Sequence, residues 1–306
     1  MPNYLKRYKT SIGVIAMPEG ENNFLKFDIR KKRDEYKFQD IYIIVKTYPM
    51  VSKKYKLLIC TAGLIKEQDN YRWIRIYPIS LDYYREHYGN LKKFTLIRAQ
   101  IAPAKEKLSR KDSFRIKMET IKVIDQTLTE TKNDPYWEKR NKLVLPTRSK
   151  SIEDIEELRK TKVKTIAVIK PRIIEDFVIE PKKNVAKWEK DLLEGKQKTL
   201  IGDYKIEVRP IEHIPFIFRY VFKCNDSRCN GHKMLVEDWE ILELWRKVKE
   251  KKGIEGANKA VKKKCLEQLT KRDLHFIIGT ESKYNKWLII GLYYPPKRYK
   301  KLTDFF

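Results

Sequence analysis

Through most of the first half of the chain, apolar and polar residues alternate with a period of two. "YRWIRIYP" (71–78) places Tyr71, Trp73, Arg75 and Tyr77 on one parity and Arg72, Ile74 and Ile76 on the other. Successive side chains of a strand point to opposite faces. This segment therefore predicts a strand with one apolar face and one face of three rings around a guanidinium. "IYIIVKTYP" (41–49) divides in the same way, with Tyr42, Lys46 and Tyr48 opposite Ile41, Ile43 and Val45. Runs rich in β-branched and aromatic residues follow at 55–65, 94–102 and 114–124, separated by charged or Gly/Asn-containing turns. Five short strands at this spacing predict a small barrel of the oligonucleotide-binding (OB) type.

Helical segments dominate after residue 130. Asp134 followed by Pro135 predicts a helix over 134–144. Ser151 with Asp154 three residues on predicts a capped helix over 151–161. Strands return in "KTIAVIKPRII" (164–174) and "FVIE" (177–180), then a short helix over 185–195 that ends at Gly195. In the last third, a strand over 214–224 puts Phe216, Phe218, Tyr220 and Phe222 on one face. A helix over 237–253, with Trp239, Leu242 and Trp245 inward, stops at Gly253; a second helix covers 256–269. "LHFIIGT" and "WLIIGLYYPP" predict two closing core strands, with Pro295 and Pro296 ending the last. No internal repeat is evident. The expectation is an α+β fold of two barrel-like, strand-rich halves with helical insertions. Its parts are a basic extension (1–37), a β-rich barrel domain (38–130), a helix-and-strand middle segment (131–200) and a C-terminal α+β domain (201–306).

Charge narrows the function. The 306 residues carry 68 Lys+Arg against 41 Asp+Glu, a formal +27. A field this positive calls for a polyanion or an acidic partner, and nucleic acid is the first candidate because phosphate neutralisation releases counterions. The apolar runs are too short to span a bilayer and the N-terminus lacks a signal-peptide pattern, so a cytoplasmic protein is expected. Two strand faces offer rings beside cations for stacked nucleotides: Lys46, Tyr71, Trp73, Arg75 and Tyr77. The alternative is that helices cover this face and the rings are half of a packed core. Between 246 and 272, eleven Lys and Arg face only Glu250, Glu255 and Glu267. Within that tract Lys259, Lys262, Lys263 and Lys264 are candidate phosphate contacts, and Lys297, Arg298, Lys300 and Lys301 extend the set at the C-terminus.

Two clusters carry other chemistry. "CNDSRCNGH" gathers Cys224, Cys229 and His232, three zinc-type ligands in one loop, with Cys265, His213, His275 or Asp226 available as a fourth. A zinc held there is structural; the alternative is a hairpin tip with free thiols. "DFVIEPK" contains Asp176, Glu180 and Lys182, half of a metal-dependent nuclease signature of the PD-(D/E)xK kind. No phosphate-binding glycine loop and no hydrolase triad is present in the sequence.

"IVKTYPMVSKKYKLLICTAGL", "WIRIYPI", "VIKPRIIEDFVIE", "CNGHKMLVEDWE", "LHFIIGT" and "WLIIGLYYPP" together resemble a prokaryotic family of defence-associated proteins, over about residues 41–296. The first two also resemble domains described as a dual OB barrel. More narrowly, the chain resembles the partner subunit of an archaeal short Argonaute of the Sulfolobus type. That resemblance implies a non-catalytic companion that substitutes for the missing N-terminal and PAZ-like lobe. It also implies a short Argonaute, guide RNA and target DNA as partners, and a separate membrane-bound effector that kills or arrests the infected cell. Two functions stay open beside it: a metal-dependent nuclease using Asp176, Glu180 and Lys182, and a stand-alone single-strand-binding protein.

Overall fold

The computed structural model describes residues 35–52, 56–87, 91–104, 110–161, 164–182, 198–201, 204–207, 211–281 and 285–297. Residues 1–34 of the basic extension, the helix expected over 185–195, and Arg298, Lys300 and Lys301 lie outside the described residues, and Lys37, expected in the extension, opens the first strand.

Five strands close the first barrel: β1 (Lys37–Lys46), β2 (Thr61–Glu67), β3 (Asn70–Tyr77), β4 (Leu96–Pro103) and β5 (Ser113–Ile116). Their order is β1-β2-β3-β5-β4, and β4 pairs back onto β1. Every pairing is antiparallel except β3 with β5, which run parallel from Arg75↔Ser113 to Tyr77↔Arg115. This is the Greek-key order of an OB barrel, and closure removes the unpaired edges a sheet would otherwise expose. Ile41, Ile43, Ile65, Ile74, Ile76, Ile97 and Phe114 fill the interior. Helix α1 (Leu81–Glu86), capped by Ser80 Oγ accepting from the Tyr83 N–H at 3.1 Å, adds Leu81 and Tyr84 to the same core. At Gly63, β2 crosses so close to β1 that a Cβ would lie 2.4 Å from the Tyr42 carbonyl oxygen; only glycine fits there. The strand expected over 114–124 is divided. Thr120 Oγ1 accepts from the Gln100 N–H and donates to the Lys117 carbonyl, fixing a turn between β5 and a short strand, Lys122–Asp125, that pairs with β4.

The second barrel repeats this order. β6 (Ile166–Ile169) and β7 (Ile173–Pro181) form one bent strand, interrupted at Pro171, which has no N–H to give the ladder. β8 (Phe216–Lys223), β9 (His232–Leu235), β10 (His275–Thr280) and β11 (Trp287–Tyr293) follow. β7 pairs with β8, β8 with β9, β10 with β11 and β6 with β10, all antiparallel. A single parallel bridge, Val236↔Ile289, joins the third strand to the fifth and closes the ring. The chain thus carries a structural repeat that its residues do not display. The second barrel opens at Ile166, so the expected boundary at residue 200 cuts it between its first and second strands. The first strand pairs with partners as distant as Ile173↔Lys223 and Ile166↔Gly279, which leaves no local signal for that boundary.

Two helices connect the barrels. α2 spans Glu138–Val144 rather than starting at Pro135, because the Asp134 carboxylate caps from outside, accepting the Lys139 and Arg140 N–H groups. α3 spans Ile152–Lys160, with Ser151 Oγ accepting from the Asp154 N–H at 3.1 Å as the sequence predicts. The long helix α4 (Trp239–Lys263) stands between the third and fourth strands of the second barrel, where α1 stands in the first. Asp238 caps it through Oδ1 and ties it through Oδ2 to the Leu292 N–H (2.9 Å) and to Lys93 (3.3 Å). Gly253, at φ 68° and ψ −176°, breaks α4 midway instead of ending it. The helix resumes because Ala257, Val261 and Cys265, spaced four apart, are all buried.

A second apolar core lies between the barrels. It joins Val45, Ala62, Leu64 and Trp73 of the first to Ile166, Val168, Ile277, Ile290 and Tyr293 of the second, with Leu143 and Val144 of α2.

Candidate nucleic-acid interface

The ring-and-cation face of β3 is not a surface. Trp73 is 5% exposed, and its indole N–H donates to Thr147 Oγ1 at 2.8 Å. Arg75 donates to the Thr165 carbonyl (2.7 Å) and hydroxyl (3.3 Å), and that hydroxyl in turn donates to Asp112. Lys46, 6% exposed, donates to the Tyr84 hydroxyl at 2.8 Å, and burial lowers its ammonium to about 8. Tyr71 sits edge-on to Tyr42 with ring centroids 6.2 Å apart, and Tyr77 is half-buried. The expectation of a stacking platform at Lys46, Tyr71, Trp73, Arg75 and Tyr77 is therefore corrected. The second barrel covers this face, and its polar groups are spent inside the molecule.

The equivalent face of the second barrel is open among the described residues. Ile217, Arg219, Val221, Lys233 and Leu235 are exposed or half-buried there. It carries no ring, and Glu180 pairs with both Arg219 and Lys233 (2.6 Å to the latter). Asp176 pairs with Lys262 at 3.3 Å. Of the carboxylates of the nuclease alternative, Glu180 is thus engaged by two cations of this face and Asp176 by Lys262 of α4.

Rings and cations meet instead at the junction of the barrels. An open groove of about 790 Å³ runs between α2 and the second barrel, lined by Lys142, Lys170 and Lys297, by the acidic Glu138 and Asp273, and by Asn141 and the Pro295–Pro296 turn. Asp273 bonds His275 at 3.1 Å and Lys170 at 2.7 Å, and these bonds, that to His275 foremost, hold its carboxyl well below the usual range. Beside the groove lies a smaller pocket of about 130 Å³ walled by Phe94, Trp137, Tyr293 and Tyr294, with Lys93 and Arg140. The Arg272 guanidinium lies 5.8 Å from the ring centroids of both Trp137 and Tyr294, and Lys264 lies 6.0 Å from that of Tyr294. Tyr136, next to Trp137, is 67% exposed.

Of the cations singled out in the sequence, Lys297 lines this groove and Lys264 lies beside Tyr294; Trp137, Tyr294, Lys142 and Lys170 were not singled out there. They come from three separate stretches of the sequence, around 137–142, 170 and 294, and only the fold gathers them. Lys259, Lys262 and Lys263 are exposed along α4, and Lys262 faces Asp176.

The cysteine loop also closes. Cys224 Sγ, Cys229 Sγ and His232 meet Glu153 from the first turn of α3, with all four ligand atoms within 4.8 Å of one another. The fourth partners expected from sequence are elsewhere: Asp226 binds Ser151 and Arg228, His275 binds Asp273, Cys265 is buried just after α4, and His213 precedes β8 and is not among the four.

Strand order and pairing define a tandem OB-barrel protein, α+β and strand-rich. The chain belongs to the family described as "Domain of unknown function (DUF8757)", which matches residues 148–305; residues 37–146 match a second, "Domain of unknown function (DUF8758)". The two matches meet at the connector between the barrels. No curated protein matches the chain. Among solved structures it is similar to that of "Molecular basis for abrogation of activation of pro-inflammatory cytokines" (11% identity, 84% of this chain and 92% of the other, TM-score 0.29). It is similar also to a chain of "Structure and Conformational Change of a Replication Protein A Heterotrimer Bound to ssDNA" (9% identity, 90% and 52%, TM-score 0.38). A third is "Structure of murine DNA binding protein bound with ds DNA" (7% identity, 87% and 99%, TM-score 0.29). These likenesses are remote, and the barrels stand on their own strand pairing. No helix among the described residues is long and apolar enough to cross a membrane.

Proposed function

We propose that the chain is a nucleic-acid-binding protein that grips a sugar–phosphate strand along the groove at the barrel junction and does not cut it. The observation that carries this reading is the conjunction, in a chain of formal charge +27, of Lys142, Lys170 and Lys297 along one groove with Trp137, Tyr294 and Arg272 at its side. Lysines neutralise phosphates without reading sequence, and a ring accepts any base face, so such a groove binds many sequences. Arg246, Lys249 and Lys262 of the α4 tract are engaged with Glu243, Glu212 and Asp176, as Lys170 of the groove is with Asp273; the rings and Arg272 at its side are what set the groove apart.

The test is fluorescence anisotropy with labelled single-stranded and duplex RNA and DNA across a salt series. Reversing Lys142, Lys170 and Lys297 to Glu together is expected to weaken binding and flatten the salt slope, by ~0.7–0.9 for each phosphate no longer neutralised. Cleavage of the probe in Mg²⁺ or Mn²⁺, abolished by Glu180→Ala, would replace this reading with a nuclease.

The finer form of the proposal makes the ligand a guide RNA paired with target DNA, presented by a short Argonaute whose missing lobe this chain supplies, with a membrane-bound effector downstream. Its support is the order and character of the six motifs quoted above. Base pairing would then read sequence, and the companion needs only backbone contacts. Copurification from the native host tests it: an Argonaute carrying short RNA is the expected company.

A further inference from the structure

Outside the groove, the most organised cluster of ligating atoms joins two elements far apart in sequence. Cys224 follows β8, Cys229 lies in the turn, His232 opens β9, and Glu153 is the second residue of α3. His232 Nε2 lies 3.2 Å from Cys229 Sγ and 3.0 Å from Glu153 Oε1. A neutral imidazole nitrogen, as donor or acceptor, satisfies one such neighbour, not two. The second Glu153 oxygen, Oε2, is buried and has no hydrogen-bond partner among the described residues. A buried carboxylate oxygen left unpaired is costly, and a cation shared by the four atoms removes that cost. Tetrahedral zinc bonds of about 2.0–2.3 Å imply ligand–ligand edges of roughly 3.3–3.8 Å, within the 4.8 Å span seen here.

We propose that Glu153, Cys224, Cys229 and His232 bind one zinc ion that staples α3 to the β8–β9 turn. Two thiolates and an imidazole favour zinc over magnesium or calcium. Four protein ligands leave no open position for water, so the ion is structural. The surroundings are already arranged to hold the ligands. Ser151 Oγ donates to Asp226 Oδ2 (2.7 Å), Arg228 reaches Asp154 (2.9 Å), and the Cys229 N–H donates to the Asp226 carbonyl (3.1 Å). These bonds set the first turn of α3 against the loop, and the metal adds the covalent-strength link. It would hold the connector against the barrel that forms one wall of the groove.

The experiment uses the full chain, reduced and freed of metal, titrated with zinc against a chromophoric chelator and with cobalt by visible spectroscopy. One tight zinc per chain is expected, and cobalt should give the intense d–d bands of a tetrahedral site plus a thiolate-to-metal band. Cys229→Ser should lower zinc affinity by roughly tenfold or more, and Glu153→Gln by roughly tenfold; Cys265→Ser should leave it unchanged. If Cys229→Ser fails to fold, Glu153→Gln carries the test, since it keeps the side chain's shape. Absence of stoichiometric zinc, octahedral cobalt spectra, or affinity indifferent to Glu153→Gln would overturn the site.

Discussion

The two barrels share one strand order and use its second face in opposite ways. In the first, the outer face of β2 and β3 carries Ala62, Leu64, Trp73 and Arg75, and all four are engaged against the second barrel and the connector. In the second, the same face carries Ile217, Arg219, Val221, Lys233 and Leu235 and is open. The rings thus lie on the covered face, and branched aliphatics with ion pairs on the open one. A ring on a strand is therefore no sign of a stacking platform: in the first barrel the rings glue the two units together, and Trp137, Tyr294 and Arg272 meet at the seam.

Substitutions on the two faces separate these roles. Trp73→Ala removes a fully packed ring and its bond to Thr147, and should cost about 3–5 kcal/mol of stability by denaturant titration. A stable Trp73→Ala chain that had lost nucleic-acid affinity would restore that face as a platform. Next in size is a pH effect at the seam. The Glu237 backbone bridges the Tyr48 N–H and the Ile289 carbonyl, and burial, opposed by Lys182, raises its carboxyl to about 7 from 4.5. A raised carboxyl contributes stability that is full below 4.5 and lost as pH rises through 7. Glu237→Gln abolishes that loss, so it should be more stabilising relative to wild type at pH 8 than at pH 5, by up to about 3 kcal/mol. A difference that does not change with pH would remove Glu237 as the titrating group. Smallest is the open face. Glu180→Ala releases Arg219 and Lys233, and should change stability by less than about 1 kcal/mol. A large loss there would show that something packs on this face after all.

Much of each barrel was legible in the sequence. Period-two alternation gave the inward residues Ile74 and Ile76, and Phe218, Tyr220 and Phe222, and the Ser151 cap was read from its spacing. What was not legible depends on partners far along the chain. Trp73 meets Thr147 74 residues away, and Arg75 meets Thr165 90 away. A strand's pattern states that two faces differ, not which one another domain will cover. For the same reason Glu153 was missing from the cysteine cluster and Trp137 from the groove. The α4 tract is the converse case: its lysines are conspicuous in sequence, but charge density alone does not reveal that Glu243, Glu212 and Asp176 answer Arg246, Lys249 and Lys262.

The most direct measurement compares two charge reversals under one salt series, Lys142/Lys170/Lys297→Glu in the groove and Lys251/Lys259/Lys263→Glu on α4. The groove variant is expected to lose affinity for single strands and duplex alike and to flatten the salt slope, with the α4 variant changing each by less. Equal loss from both, or a groove variant that binds as wild type does, would contradict a binding site at the barrel junction.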